Sequence, residues 1–127
     1  MPKFYLNVHL VFCTKYRRKV LTRPILNNIE EVFAEVALNW KSNVVEFNGE
    51  ADHVHTLLSY PPSIKLSSLV GNLKATSCKA VWQTNERYLK RYYWKNIVLR
   101  SGGYYAESCG GVTLDKLVQY IENQQTP

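Results

Sequence analysis

The sequence predicts an α+β fold of the ferredoxin-like (RRM-like) βαββαβ type, one antiparallel sheet carrying two helices on one face. Two observations predict it. Strand-like runs, the first strictly alternating, fill Phe4–Cys13, Asn43–Glu50 and His53–Tyr60, while helical spacing fills the stretches after the first and third of these. A last strand region, from Ile97 to Glu107 across Gly102-Gly103, completes the order strand, helix, strand, strand, helix, strand, which packs as a two-layer sandwich. The 127 residues, 46% of them hydrophobic, suit one domain with its own core. Within that domain, residues 1–108 form the sandwich, and 109–127 form a hinge and a C-terminal helix.

In the first strand, Phe4, Leu6, Val8, Leu10 and Phe12 share one face; Tyr5, Asn7, His9, Val11 and Cys13 share the other. His9 is read as a hydrogen-bonded neighbour of a polar site. Lys15-Tyr16-Arg17-Arg18-Lys19 follows, four cations around an aromatic ring. Two readings stand for it: phosphate contact with base stacking, or a solvated loop. Thr22 is a good N-cap and Pro24 suits the first helical turn. Ile25, Ile29, Val32, Phe33, Val36, Ala37 and Trp40 then form the buried stripe of a helix running to about Lys41.

The second strand puts Val45 and Phe47 on one side, and Glu50-Ala51-Asp52 makes a tight connection to the third. Glu50 and Asp52 are read as turn acids facing water. The third strand, ended by Pro61-Pro62, carries His53-Val54-His55. Alternate strand residues share a face about 6.6 Å apart, so both imidazoles can reach one point while Val54 enters the core. Such a pair is able to grip one divalent metal. In the predicted topology the first and third strands are central neighbours, so His9, His53 and His55 share the open side of the sheet.

Ser63 is the expected cap of a second helix reaching about Trp82, with Leu66, Leu69, Val70, Leu73, Ser77, Ala80 and Val81 as its buried stripe. Gly71 in its middle costs about 1 kcal/mol relative to Ala and is read as room for the close approach of another backbone. From Glu86 to Arg100, cations again interleave with Tyr and Trp, the composition of a single-strand binding surface. Cys109-Gly110-Gly111 is a joint before the last helix, Thr113 to about Gln124, on which Tyr120 and Gln124 stack four residues apart.

A net charge of +6 with a pI near 9.3 favours a polyanionic partner. Three scattered cysteines, Cys13, Cys78 and Cys109, with no CxxC, argue against a disulfide framework and for a reducing cytoplasm. With no signal core and no apolar run near 18 residues, the expectation is neither secretion nor a membrane span.

His53-Val54-His55 on a central strand, with Tyr120-Ile121-Glu122-Asn123-Gln124 on a C-terminal helix, resembles the single-tyrosine HUH transposases of small bacterial and archaeal insertion sequences, the IS200-like group. Val11-Phe12-Cys13-Thr14-Lys15-Tyr16-Arg17-Arg18-Lys19-Val20-Leu21 supports the resemblance, which covers essentially the whole chain. It implies that Tyr120 is the nucleophile and that His53, His55 and Gln124 hold one divalent cation, Mg²⁺ or Mn²⁺. It implies cleavage and rejoining of single-stranded DNA, folded as hairpins at element ends, through a 5′-phosphotyrosine link. It further implies a homodimer whose C-terminal helices can complete each other's sites in trans. The chemistry agrees in outline: a tyrosine with a pKa near 10 is a poor nucleophile at neutral pH without help. Imidazole ligands favour manganese over magnesium. Charge and position nominate Arg17, Arg18, Lys74, Lys79, Arg87 and Arg91 for DNA contact. Two alternatives stay open: a non-enzymatic ferredoxin-like nucleic-acid binder, and a repeat-associated tyrosine transposase or replication initiator of the same chemistry.

Overall fold

The first strand, β1 (Leu6–Thr14), lies at the centre of one antiparallel sheet. A computed structural model describes residues 5–94, 98–100 and 106–108. In chain order the elements after β1 are a 3₁₀ turn at Lys15–Arg17, α1 (Arg23–Asn39), β2 (Asn43–Glu50), β3 (His53–Tyr60), α2 (Leu66–Leu89), β4 (Leu99–Arg100) and β5 (Ala106–Ser108). The sheet order is β2-β3-β1-β4, with β5 also paired to β1. Since β3 occupies one edge of β1 from Leu6 to Cys13, β4 and β5 share the other. They form an interrupted fourth strand, as the ferredoxin-like order requires. The expected hinge at 109–111 and the C-terminal helix with Tyr120 and Gln124 lie outside the described residues.

One face of the sheet meets both helices. Val8, Leu10, Phe12, Val54 and Leu58 pack with Ile25, Ile29 and Phe33 of α1 and Leu69, Leu73 and Val81 of α2 in a single core. Phe33 stands at its middle, edge-on to Phe12 at 5.3 Å and to Phe47 at 5.7 Å between ring centroids. Thr22 caps α1 as expected, its hydroxyl accepting from the Ile25 amide. The helix stops because Lys41 turns left-handed, φ 57°. The amides of Lys41 and Ser42 then reach back to the Leu38 and Ala37 carbonyls, a Schellman closure.

Four expectations are corrected. Val45 is exposed and does not share a side with Phe47, because the β2–β3 register shifts between Val44 and Glu46. This bulge turns Val45 out, and the buried Thr56 hydroxyl donates to the Glu46 carbonyl at 2.7 Å. Ser63 does not cap α2. It is spent in the turn closed by the Ile64 amide on the Pro61 carbonyl, and Lys65 takes the cap position. The helix also outlasts Trp82, running to Leu89 across a kink at Asn85. There the Thr84 hydroxyl and the Asn85 amide bond the Ala80 and Val81 carbonyls, 2.9 Å each, competing with the helix ladder. Buried Leu89 carries the chain past the kink. Gly71 is exposed with nothing within 4 Å of a would-be Cβ, so it admits no close neighbour among the described residues.

The close approach falls instead at Gly49, where a methyl group would collide with Leu26 of α1. Gly49→Ala should therefore destabilise the fold by about 1–3 kcal/mol. Thermal unfolding checks it, and an unchanged melting temperature would show that the Leu26 side chain gives way at little cost.

Candidate active site

Antiparallel pairing sets Cys13 opposite His53, Val11 opposite His55 and His9 opposite Leu57. On the other side of β3, Glu50 pairs with His53 and Asn48 with His55. Directly paired residues share a face, so all three histidines lie on the face away from the helices, as the alternation predicts. That face is not open at its centre: His9, Val11, Cys13 and His53 are each 5% exposed or less, and His55 is half-buried.

The His53 and His55 rings stack at 24°, with centroids 6.0 Å apart. With metal–nitrogen bonds near 2.1 Å, two imidazoles on a tetrahedral or cis-octahedral ion have centroids about 4.6–5.3 Å apart. At 6.0 Å the two rings stand about 1 Å beyond that spacing. The reading of Asp52 as a turn acid facing water is corrected. Its carboxylate does not simply face water; it accepts from His53 Nδ1 at 2.9 Å, with both side chains largely buried. A carboxylate on Nδ1 favours the tautomer with the proton there and turns Nε2 toward the open face, the support that metal-binding histidines commonly have. The available signal was position: Asp52 ends a two-residue turn directly before the first histidine. Among the described residues no third His, Cys, Asp or Glu joins this pair into a metal-binding group. Gln124, the expected third ligand, and Tyr120 lie outside the described residues.

The basic turn after β1 is built into the same corner. The Thr14 amide donates to the Asp52 carbonyl and the Leu21 amide to the Ala51 carbonyl, both at 2.9 Å. From the end of α2, the Tyr88 hydroxyl donates to the Val20 carbonyl, and beyond it the Tyr93 hydroxyl donates to the Lys15 carbonyl at 2.8 Å. Burial pushes the Cys13 thiol up; the nearby Arg17 charge pulls it down and Asp52 pushes it up. Burial likewise raises Tyr88 and Tyr93, keeping them neutral donors. The six nominated cations therefore divide. Arg17 and Arg18 stand beside the histidine corner, and exposed Arg87 and Arg91 lie at the α2 end pinned to it. Half-buried Lys74 and exposed Lys79 ride on α2, across the sheet from the imidazoles.

A family model described as "Transposase IS200 like" matches residues 2–124. The chain belongs to the IS200-like transposase family. The transposase is 30% identical over 121 residues to the transposase for insertion sequence element IS200 of Salmonella typhimurium, covering 91% of this chain and 74% of that one. It is 26% identical over 121 residues to the ISDra2 transposase TnpA of Deinococcus radiodurans, covering 95% and 85%. A crystal structure of a Deinococcus radiodurans R1 protein assigned as a transposase superposes with a TM-score of 0.80 at 27% identity, covering 98% of this chain and 94% of that one. A REP-associated tyrosine transposase bound to a REP hairpin superposes with a TM-score of 0.56 at 10% identity, covering 96% and 67%, a likeness of fold. No helix of the transposase is long and apolar enough to cross a membrane, among the described residues.

Proposed function

We propose that this transposase cuts and rejoins single-stranded DNA at the ends of an insertion sequence, with Tyr120 as nucleophile and His53, His55 and Gln124 as ligands of one divalent cation. The observation that carries the reading is the imidazole pair, 6.0 Å apart on one face with His53 oriented by Asp52. The Tyr120 oxygen attacks the scissile phosphorus, forming a tyrosyl–phosphate bond as the bond to the 3′ oxygen breaks and that oxygen leaves as a hydroxyl. A 3′-hydroxyl attacking the phosphotyrosine reverses the exchange, so strands are rejoined without ATP. Bound at the histidines, Mg²⁺ or Mn²⁺ supplies charge neutralisation on the phosphate. The chain's own contribution is to fix the two rings on a rigid central strand.

The proposed partners are DNA hairpins at element ends and a second copy of the chain, whose C-terminal helix can complete the site in trans. A hairpin-bound tyrosine transposase of the same fold supports the first of these. Buried free thiols at Cys13 and Cys78 suit a reducing cytoplasm.

The test is incubation with single-stranded oligonucleotides from the flanking element ends plus manganese, followed by a denaturing gel. A protein–DNA adduct is the expected result. No adduct at any end, with binding indifferent to divalent cations, would return the chain to the non-enzymatic class of binder. Asp52→Asn keeps a similar shape but loses the charge that orients His53. It should weaken manganese affinity and cleavage by about 10- to 100-fold, measured by manganese titration and by adduct yield.

A further inference from the structure

The turn after β1 has a conformation that side chains rarely adopt. Tyr16 and Arg17 have φ of 61° and 55°, consecutive left-handed residues with no glycine between them. Such strain persists where the surroundings over-determine it. Here the bonds from Tyr93 and Tyr88 and those to the Ala51-Asp52 turn fix both ends of the loop. The consequence of that conformation is an aromatic ring held outward. Tyr16 is 66% exposed, while Tyr88 and Tyr93 in the same corner turn inward and bond carbonyls. The Lys15 ammonium stands 5.2 Å from the Tyr16 ring centroid, and Arg17, Arg18 and Lys19 are exposed beside it.

We propose that Tyr16 is a base-stacking platform, taking an unpaired base next to the phosphate held at the histidine site, while Arg17 and Arg18 take the adjoining phosphates. The inference rests on the proposed single-strand substrate and adds a positioning residue to it. Three features of the loop fit that occupant and no core role: an exposed ring, cations on either side of it, and attachment to the turn that ends at His53. An unpaired base offers a free π-face, whereas a duplex stacks its bases internally, so the platform also favours single strands. Every base has such a face, so the contact tolerates sequence.

The experiment compares two fluorescein-labelled ligands by anisotropy: a twelve-residue oligothymidylate, and a twelve-unit abasic strand with the same phosphates. The wild type should prefer the thymidylate. Tyr16→Ala should reduce that preference by about 5- to 150-fold, the worth of one stacked base, without changing affinity for the abasic strand. Tyr16→Phe should keep the preference. Tyr16→Gly relieves the left-handed strain and should lose the preference with no loss in melting temperature, which covers the case of an Ala variant that folds poorly. Arg17→Ala should weaken both ligands alike. Equal losses on both ligands for Tyr16→Ala and Tyr16→Gly, or a changed oligomeric state with the preference intact, would overturn the platform. The adduct assay stays separate: adduct formation with an unchanged base preference sinks only this inference, and absence of adduct sinks the reading beneath it.

Discussion

Tyr120→Phe is expected to abolish the covalent protein–DNA adduct, a loss of more than about 10⁴-fold in cleavage, while hairpin binding stays near the wild-type level. Phenylalanine keeps the ring and removes only the oxygen proposed to form the bond to phosphorus. Water is no substitute on the time scale of the assay, because uncatalysed phosphodiester cleavage is extremely slow. The chain has nine tyrosines, so the assignment needs discrimination. Tyr88 and Tyr93 are excluded on structural grounds: each hydroxyl is committed to a backbone carbonyl, and burial raises the pKa of each. Tyr16 is exposed beside the site and is the sharpest competitor. An adduct that survives Tyr120→Phe and disappears in Tyr16→Phe would transfer the role of nucleophile to the basic loop. Denaturing gels of both variants with the same oligonucleotide decide it.

How far the sequence could be read depended on whether a residue's fate was set by its neighbours in the chain or across the sheet. The bounds of β2 and β3 follow from alternation and from the tight turn between them, and Thr22 with Pro24 marks the start of α1 by local chemistry alone. The Val45 bulge was illegible, since it depends on which β3 residue each β2 residue pairs with. The end of α2 is set by tertiary packing in the same way. Thr84 and Asn85 weaken the helix locally, and what continues it is Leu89, whose burial is a tertiary fact. At the site, the shared face of His53 and His55 was readable from a period of two. The role of Asp52 was not, because a turn acid and a histidine-orienting acid have the same sequence. The strained platform at Tyr16 was half-visible: composition suggested stacking, but only backbone angles and the bonds from Tyr88 and Tyr93 separate a fixed ring from a solvated loop.

Removing either imidazole should have the second largest effect. A cation on a transferring phosphate is worth several kcal/mol of transition-state stabilisation, so losing it should slow cleavage by about 10³-fold or more. His55→Ala is the cleaner variant, because His55 is half-buried whereas His53 is 4% exposed and its removal also leaves a cavity in the sheet face. The expected ranking is His53→Ala and His55→Ala together at the bottom, with Asp52→Asn well above them, since Asp52 acts only through the ring it orients. Manganese binding followed by electron paramagnetic resonance should fall in the same order. Hairpin binding should change little, because the nominated phosphate contacts, Arg17 and Arg18, remain in place. Full metal-dependent cleavage by His55→Ala would remove that imidazole from the ligand set and leave the pair on β3 as a structural stack. Loss of cleavage with unchanged manganese affinity would point instead to a role for the ring on the phosphate itself. The paired result, lower affinity and lower cleavage in one ranking, is the outcome that a shared cation between two rings 6.0 Å apart requires.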